Sequence, residues 1–440
     1  MKLHQYLSIL TLCLTFTVSS QTEFNSGKLS DDKILVQYGI YMLGEEKVSS
    51  DDIKSIVSKN YPDITLIESF PERVDVKGIN VLVTEIQNVE EEFTAPDLEF
   101  LKYKNLGLTN AEMNAMQKSS QVFVLQFVFE QELLLKAYNN ANNYISDLTK
   151  NHDIIIYDLE TRNSISEEYW NKNLLIKGNA ITVANHITIH FYQKEDFCRA
   201  ITLGMLKFGL PDITIEDLSC QSSEDLMTFI NVTAQTLFEK DEIENKGKLT
   251  LDVNAIQNES YKSMVINSMY DNAVGKAEVD IINGRWEEGD PENILMEIAF
   301  PLQDTQVAQM ETIKLLFGSL DEVTMIKHDD LLLKASEDAR AKVPELYDKF
   351  QNGLGINSHL LIKFPFDEDD QREWMWVEVV KWEGDLIIGL LQNEPRFISD
   401  LKAGQQVEKN IDDMFDYILY NDDGSMEGNE TGKIIEKMRN

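Results

Sequence analysis

Two carboxylates, Glu378 and Asp416, are the side chains of this sequence whose type and setting best suit acid–base chemistry, because burial can separate the pKa values of such a pair into an acid and a base. Trp374 and Trp376 alternate with Met375 and Val377, so on a strand both indoles and Glu378 point one way, as a platform for a sugar or peptide would require. Asn429 and Thr431 complete a polar set of the kind a hydrolase site in the C-terminal region would use. Plainer duties fit the same residues and are the ones the sequence favours. The tryptophans would then be core of a small β-barrel, and Asp416 would accept backbone N–H groups near a turn.

Other chemistries find no support. The chain has no Gly-x-Ser-x-Gly elbow and no His-Glu-x-x-His, and Gly432-Lys433 runs into Ile434 where a phosphate loop needs a hydroxyl. A calcium loop around Asp423-Gly424 fails because Leu419 falls on a ligand position. His186 and His190 would share one face of a strand predicted over Ile181 to Tyr192, but no third ligand is near, so they read as polar positions of a half-exposed face. No cofactor or metal is expected. Cys13 belongs to the first segment, which leaves Cys198 and Cys220; a bridge, adding about 3 kcal/mol, and two free buried thiols both stay open.

The elements around these residues suggest an α+β protein, and 440 residues exceed what one core usually supports. Residues 1–20 read as a signal peptide, with an apolar run from Leu7 to Val18 and small residues before Gln21. The expected divisions are a small α+β region over 21–105, an α/β-patterned region over 106–245, an α+β region over 246–350 and a β-rich domain over 351–440. Lys33 to Leu43, Gln121 to Glu130 and Asp153 to Leu159 read as strands, and Gln131 to Lys150 as an amphipathic helix. Asp330 to Phe350 is predicted as one long helix, with Leu331, Ala335, Ala339, Val343, Leu346 and Phe350 buried.

The charge balance of 76 acidic against 40 basic residues, formally −36, repels phosphate backbones and excludes nucleic acid as a partner. After the leader no stretch is long and uncharged enough to span a membrane. An exported chain, periplasmic or secreted, is therefore expected.

The strongest words lie near the end: Glu373-Trp374-Met375-Trp376-Val377-Glu378-Val379, Asn393-Glu394-Pro395, Leu401-Lys402-Ala403-Gly404, Phe415-Asp416-Tyr417, Asp423-Gly424 and Gly428-Asn429-Glu430-Thr431. Together they resemble the bacterial domain-of-unknown-function 2314 family, also called YegJ-like. Gly289-Asp290-Pro291-Glu292-Asn293, Lys327-His328-Asp329 and the run from Leu203 to Asp212 resemble longer members that end in this domain. The resemblance implies a compact β-rich module and supplies no catalytic residues. The expected function is that of a non-enzymatic binding or envelope-associated interaction protein, with an unknown protein or small molecule as partner. The alternative is a hydrolase-type enzyme built on the C-terminal carboxylates.

Overall fold

The computed structural model describes residues 22–44, 47–70, 77–176, 178, 180–220, 224–319, 330–355, 358–368, 371–421 and 424–439. The predicted leader, Cys13, the Lys327-His328-Asp329 word and part of the Asp422-Asp423-Gly424 turn lie outside them. Among the described residues no helix is long and apolar enough to cross a membrane. The architecture is α+β, with helices concentrated in the first two thirds and a β-rich sheet at the end.

After a short strand β1 (Gly27–Lys28), seven strands form the first sheet: β2 (Lys33–Met42), β3 (Ile64–Ile67), β4 (Ile79–Glu85), β5 (Asn105–Leu106), β6 (Val122–Glu130), β7 (Ile154–Asp158) and β8 (Asn163–Ile165). Their order is β3-β4-β6-β2-β7-β8-β5, with only the two outer pairs parallel. The division expected at 105/106 therefore falls inside one sheet, since β2 pairs with β6 and β7 beyond it. Both faces need cover, and the helices supply it. α1 (Ser50–Asn60), capped by Ser49, packs with α5 (Leu134–Asn151) on one face, where Ala137, Tyr138, Ala141, Tyr144, Ile145 and Leu148 are fully buried. Each large apolar side chain so buried contributes about 1.5–3 kcal/mol. The other face is closed by α2 (Val89–Glu92), α3 (Leu98–Tyr103) and α4 (Asn110–Gln117), which bring Leu101, Met113 and Met116 against Tyr41, Val124 and Ile155. Thr109 and Glu112 form the capping box that opens α4, as their spacing predicts. The short α6 (Glu167–Tyr169) follows β8.

A second sheet takes β9 (Thr188–Lys194), β10 (Phe197–Leu203), β11 (Asp212–Leu218), β13 (Lys248–Asp252), β14 (Lys276–Asn283) and β15 (Leu295–Ala299) in the order β13-β14-β15-β11-β10-β9, while β12 (Glu242–Ile243) pairs with β1. The division expected at 245/246 also lies inside a sheet, because β11 runs parallel to β15. α7 (Glu224–Lys240), α8 (Glu259–Ser268) and α9 (Thr305–Phe317) accompany it, and one continuous apolar core joins both sheets. Cys198 of β10 is bonded to Cys220, just past β11, with S–S 2.10 Å and Cα atoms 5.0 Å apart. The strand predicted from Ile181 starts only at Thr188; residues 183–185 form a 3₁₀ turn, so His186 and His190 do not share a strand face.

The last sheet, β16 (His359–Glu368), β17 (Gln371–Glu383), β18 (Leu386–Leu391), β19 (Gln406–Asn410), β20 (Asp416–Tyr420) and β21 (Met426–Gly428), is wholly antiparallel and open, in the order β19-β18-β17-β16-β20-β21. It is not a barrel. The predicted long helix is two, α10 (Asp330–Arg340) and α11 (Val343–Gln351), because Pro344 belongs in a first turn and cannot continue a helix from before it. Leu331 is exposed and Leu332 is buried in its place. Ala339 and Leu346 pack with Ile362, Phe364, Met375 and Val377, so both helices belong to the C-terminal unit and the boundary lies upstream of 351. α12 (Glu430–Arg439), absent from the sequence reading, ends the fold.

Candidate functional site

On β17 the alternation is as expected: Met375 and Val377 enter the core, while Trp374, Trp376 and Glu378 occupy the opposite face. The indoles are thus half-buried outside the core, not in it. Trp374 lies 4.1 Å from Phe415, centroid to centroid. Trp376 is in register with Lys363, and Lys363 with Asp416, so the three cross the sheet in one row. The Lys363 amine stands 5.0 Å from the Trp376 ring centroid. Its residue is only 8% exposed, and burial lowers its pKa while Asp416 opposes the shift.

Asp416 is fully buried and occupied. Its Oδ2 accepts from the backbone N–H of Thr431 at 2.8 Å and from Thr431 Oγ1 at 2.5 Å, and Oδ1 accepts from Tyr417 N–H at 2.8 Å. Burial raises its pKa against those bonds. The carboxylate thereby holds the first turn of α12. Asn429 adopts φ 58° and donates its N–H to Tyr417 O at 2.7 Å, and a Cβ on Gly428 would meet that same carbonyl at 2.2 Å. Gly428-Asn429-Glu430-Thr431 is in this fold a helix start docked on β20.

Glu378 is equally engaged. At 3% exposure, its Oε2 accepts from Ser219 Oγ at 2.5 Å and from Gln392 Nε2 at 3.1 Å. Glu373 accepts the N–H groups of Arg396 and Phe397, and Asn393 Oδ1 accepts Trp376 N–H at 2.7 Å, which accounts for the Asn-Glu-Pro word as a strand terminator. The structure brings Trp376, Asp416 and Thr431 together with Lys363, and sets Glu378 two residues along the same face. Structural donors thus engage both oxygens of Asp416 and Oε2 of Glu378.

A second concentration of charge, not foreseen in the sequence, sits where the first two sheets meet. Residues 204–212 leave β10 through Gly204 (φ 109°), make a 3₁₀ turn and exit through Gly209 (φ 72°), which drives Lys207 inward. Lys207 is 1% exposed and its amine lies 2.5 Å from Asp158 Oδ2. Burial opposes its charge, yet Asp158, with Tyr138 and Glu160, keeps the pKa above its usual value. Tyr138 Oη and His186 Nδ1 are 3.2 Å apart, and burial, with Lys207 adding, pushes His186 down to about 3. A cavity of about 10 Å³ lies among Tyr38, Tyr138, Asp158, Thr161, His186 and Lys207, the size that holds a single water.

The Gly289-Asp290-Pro291-Glu292-Asn293 word closes on this region from the other side. Asn293 Nδ2 donates to Asp212 Oδ2 at 2.8 Å and to Leu210 O at 2.9 Å. Asp212 also accepts Thr202 Oγ1 and Met205 N–H, and burial still pushes it up to about 7. Asp290 Oδ1 accepts Arg199 Nη1 at 2.8 Å, and the same guanidinium, fully buried, reaches Glu216 at 2.5 Å and Arg285 O at 2.9 Å.

Beside this network opens a pocket of about 170 Å³, lined by Arg162, His190, Tyr192, Ile201, Leu203, Glu288, Gly289 and Asp290. Arg162 adopts φ 60° and its Nη1 donates to Gly289 O at 2.9 Å. Tyr192 Oη donates to Glu287 at 3.0 Å and accepts from Arg199, so its ring is fixed. His190 Nε2 is buried with no hydrogen-bond partner among the described residues; burial, reinforced by Lys104 and Arg162, pushes the ring down to about 4. Nothing in the spacing of Thr161-Arg162-Asn163 announces the partners that fold over this turn. Among the described residues no group of three or more His, Cys, Asp or Glu side chains is placed to hold a metal ion.

Residues 329–440 match the model of a family described as an uncharacterized protein conserved in bacteria, domain of unknown function 2314. The matched stretch takes in the open sheet together with α10, α11 and α12. No curated protein and no solved structure matches the chain.

Proposed function

We propose that this chain is an exported bacterial protein, periplasmic or secreted, that acts by binding a partner and not by catalysing a reaction. The observation that supports the non-enzymatic reading is the engagement of Glu378 through Oε2, by Ser219 and Gln392, and of Asp416 through both oxygens, by Tyr417 and Thr431. A general acid or base must be able to exchange its proton with substrate, and a carboxylate committed to a helix start or to the contact between two sheets is poorly placed for that. Export is supported by the leader-like first segment and by the Cys198–Cys220 bridge, which forms in oxidising compartments.

One experiment addresses both halves. The full chain is expressed in a bacterium and fractionated, and free thiols are alkylated before mass analysis. Recovery outside the cytoplasm with Cys198 and Cys220 protected is expected; a reduced protein retained in the cytoplasm overturns export. Glu378→Gln is expected to lower the melting temperature. A catalytic activity abolished by Glu378→Gln at unchanged melting temperature would establish the hydrolase alternative.

A further inference from the structure

We propose that the pocket between the Arg162 turn, the β9–β10 pair and the 288–290 loop binds a small organic acid through its carboxylate. The inference rests on reading the chain as a binding protein, but not on where the protein works. In a chain with 76 acidic residues, Arg162 and Lys104 make no ion pair among the described residues. Glu160 lies within electrostatic reach of Arg162 but forms no ion pair with it, and two cations within reach of each other and of His190 suit a negative charge supplied from outside.

The guanidinium is aimed. Its residue holds a left-handed backbone conformation that non-glycine residues rarely adopt, and one N–H is tethered to Gly289 O. Arginine carries five N–H donors, so after that tether it retains enough to grip a carboxylate in a planar, two-point fashion. His190 lines the same pocket, and its buried Nε2 has no hydrogen-bond partner among the described residues. Ile201 and Leu203 offer an apolar floor for the body of the ligand. Asp290, one of two acids in the lining, has its charge offset by Arg199 and also accepts the N–H of Glu287, which weakens its repulsion of the guest. Above Gly289 there is open space, since a Cβ there would meet nothing within 4 Å. The exposed Glu288 on the same rim disfavours a second negative charge, and this points to a monoanion with a short apolar body.

The test is calorimetric titration of the oxidised full-length protein with acetate, butyrate, isovalerate and inorganic phosphate, with 1-butanol as the uncharged control. Butyrate or isovalerate is expected to bind, butanol not. Arg162→Gln should weaken binding by about tenfold or more, and Lys104→Gln, whose side chain makes no hydrogen bond among the described residues, by a smaller factor in the same direction. Binding of carboxylates unchanged in both variants, or absent in the wild type, overturns the assignment. Phosphate bound more tightly than every carboxylate overturns the ligand class. Should no acid bind while the chain still retains a protein partner, the pocket falls and the binding reading stands. Turnover of a bound acid would remove the binding reading and leave the pocket.

Discussion

Ser219 and Glu378, 159 residues apart in the chain, are joined by a hydrogen bond of 2.5 Å from Oγ to Oε2. Ser219 precedes the bridged Cys220 at the end of β11, and Glu378 lies in the middle of β17, so this bond spans the second sheet and the last one. Around it Lys402 reaches Glu311 at 3.1 Å, and Gly404 lies so close to the backbone of Gln306 that a Cβ would come within 2.7 Å.

Removing the hydroxyl leaves a buried carboxylate short of a donor. Ser219→Ala should therefore cost about 1–3 kcal/mol, and chemical denaturation should show it. Because the two residues share one bond, Ser219→Ala combined with Glu378→Gln should destabilise by less than the sum of the singles. Additive effects would show that the contact carries no coupling energy.

Asp416 sets the start of α12. Replacing it with Ala should cost about 1–2 kcal/mol, and amide exchange over residues 431–435 should accelerate while that of β16 and β17 stays slow. Thr431→Val, which keeps the N–H bond but deletes the Oγ1 bond, should show a smaller version of the same pattern. Unchanged exchange in Asp416→Ala would mean the helix is held by its packing alone.

The Lys207–Asp158 pair is buried on both sides. Lys207→Met leaves an uncompensated carboxylate and should cost about 3–5 kcal/mol. Lys207→Met with Asp158→Asn should recover part of that loss, although each change removes a charge. Equilibrium unfolding of the four proteins gives the coupling energy directly.

His186 makes stability depend on pH. Its folded pKa, about 3, lies below the unfolded value of 6.5, so between these values the unfolded chain binds more protons and stability falls as pH falls. At pH 5 the loss from this ring amounts to about 2 kcal/mol. Asp212 and Glu297, both pushed up to about 7 by burial, act in the opposite direction over the same range. The ring's share is therefore read as the difference in slope between wild type and His186→Phe from pH 7 to pH 5, with the variant the less acid-sensitive. Parallel slopes would show that His186 protonates equally well in both states.

Much of the skeleton was legible because it follows local rules. The β-forming run of Val122–Glu130, the helical spacing of Leu134, Ala137, Tyr138, Ala141 and Ile145, and the Thr109–Glu112 capping box act within a few residues of themselves. What joined those elements was not legible. The β2–β6 and β11–β15 pairings reach across 80 residues or more, and no local pattern specifies such partners. Pro344 was a local sign that a continuous apolar stripe concealed. The candidate carboxylates were found, and the bonds of Asp416 to nearby N–H groups agree with the sequence reading, but the engagement of Glu378 was hidden because Ser219 comes from a distant part of the chain. For Lys207 the inward direction of the side chain depends on Asp158 waiting in another sheet, which no local pattern shows.

The opening stretch of the described fold is secured by residues far downstream. Phe24 N–H bonds Ile281 O, Gly247 N–H bonds Phe24 O, Leu29 N–H bonds Asp241 O, and Asn283 bonds Thr22 across a separation of 261 residues. Contacts of this range close late in folding, since the intervening chain must first be ordered. On a ribosome adding about 5–20 residues per second, Thr22 waits roughly ten to fifty seconds before Asn283 exists. Synthesis thus holds the beginning of this chain unfinished while its middle is made, and that interval leaves the first strand open to whatever machinery handles it before the fold can claim it.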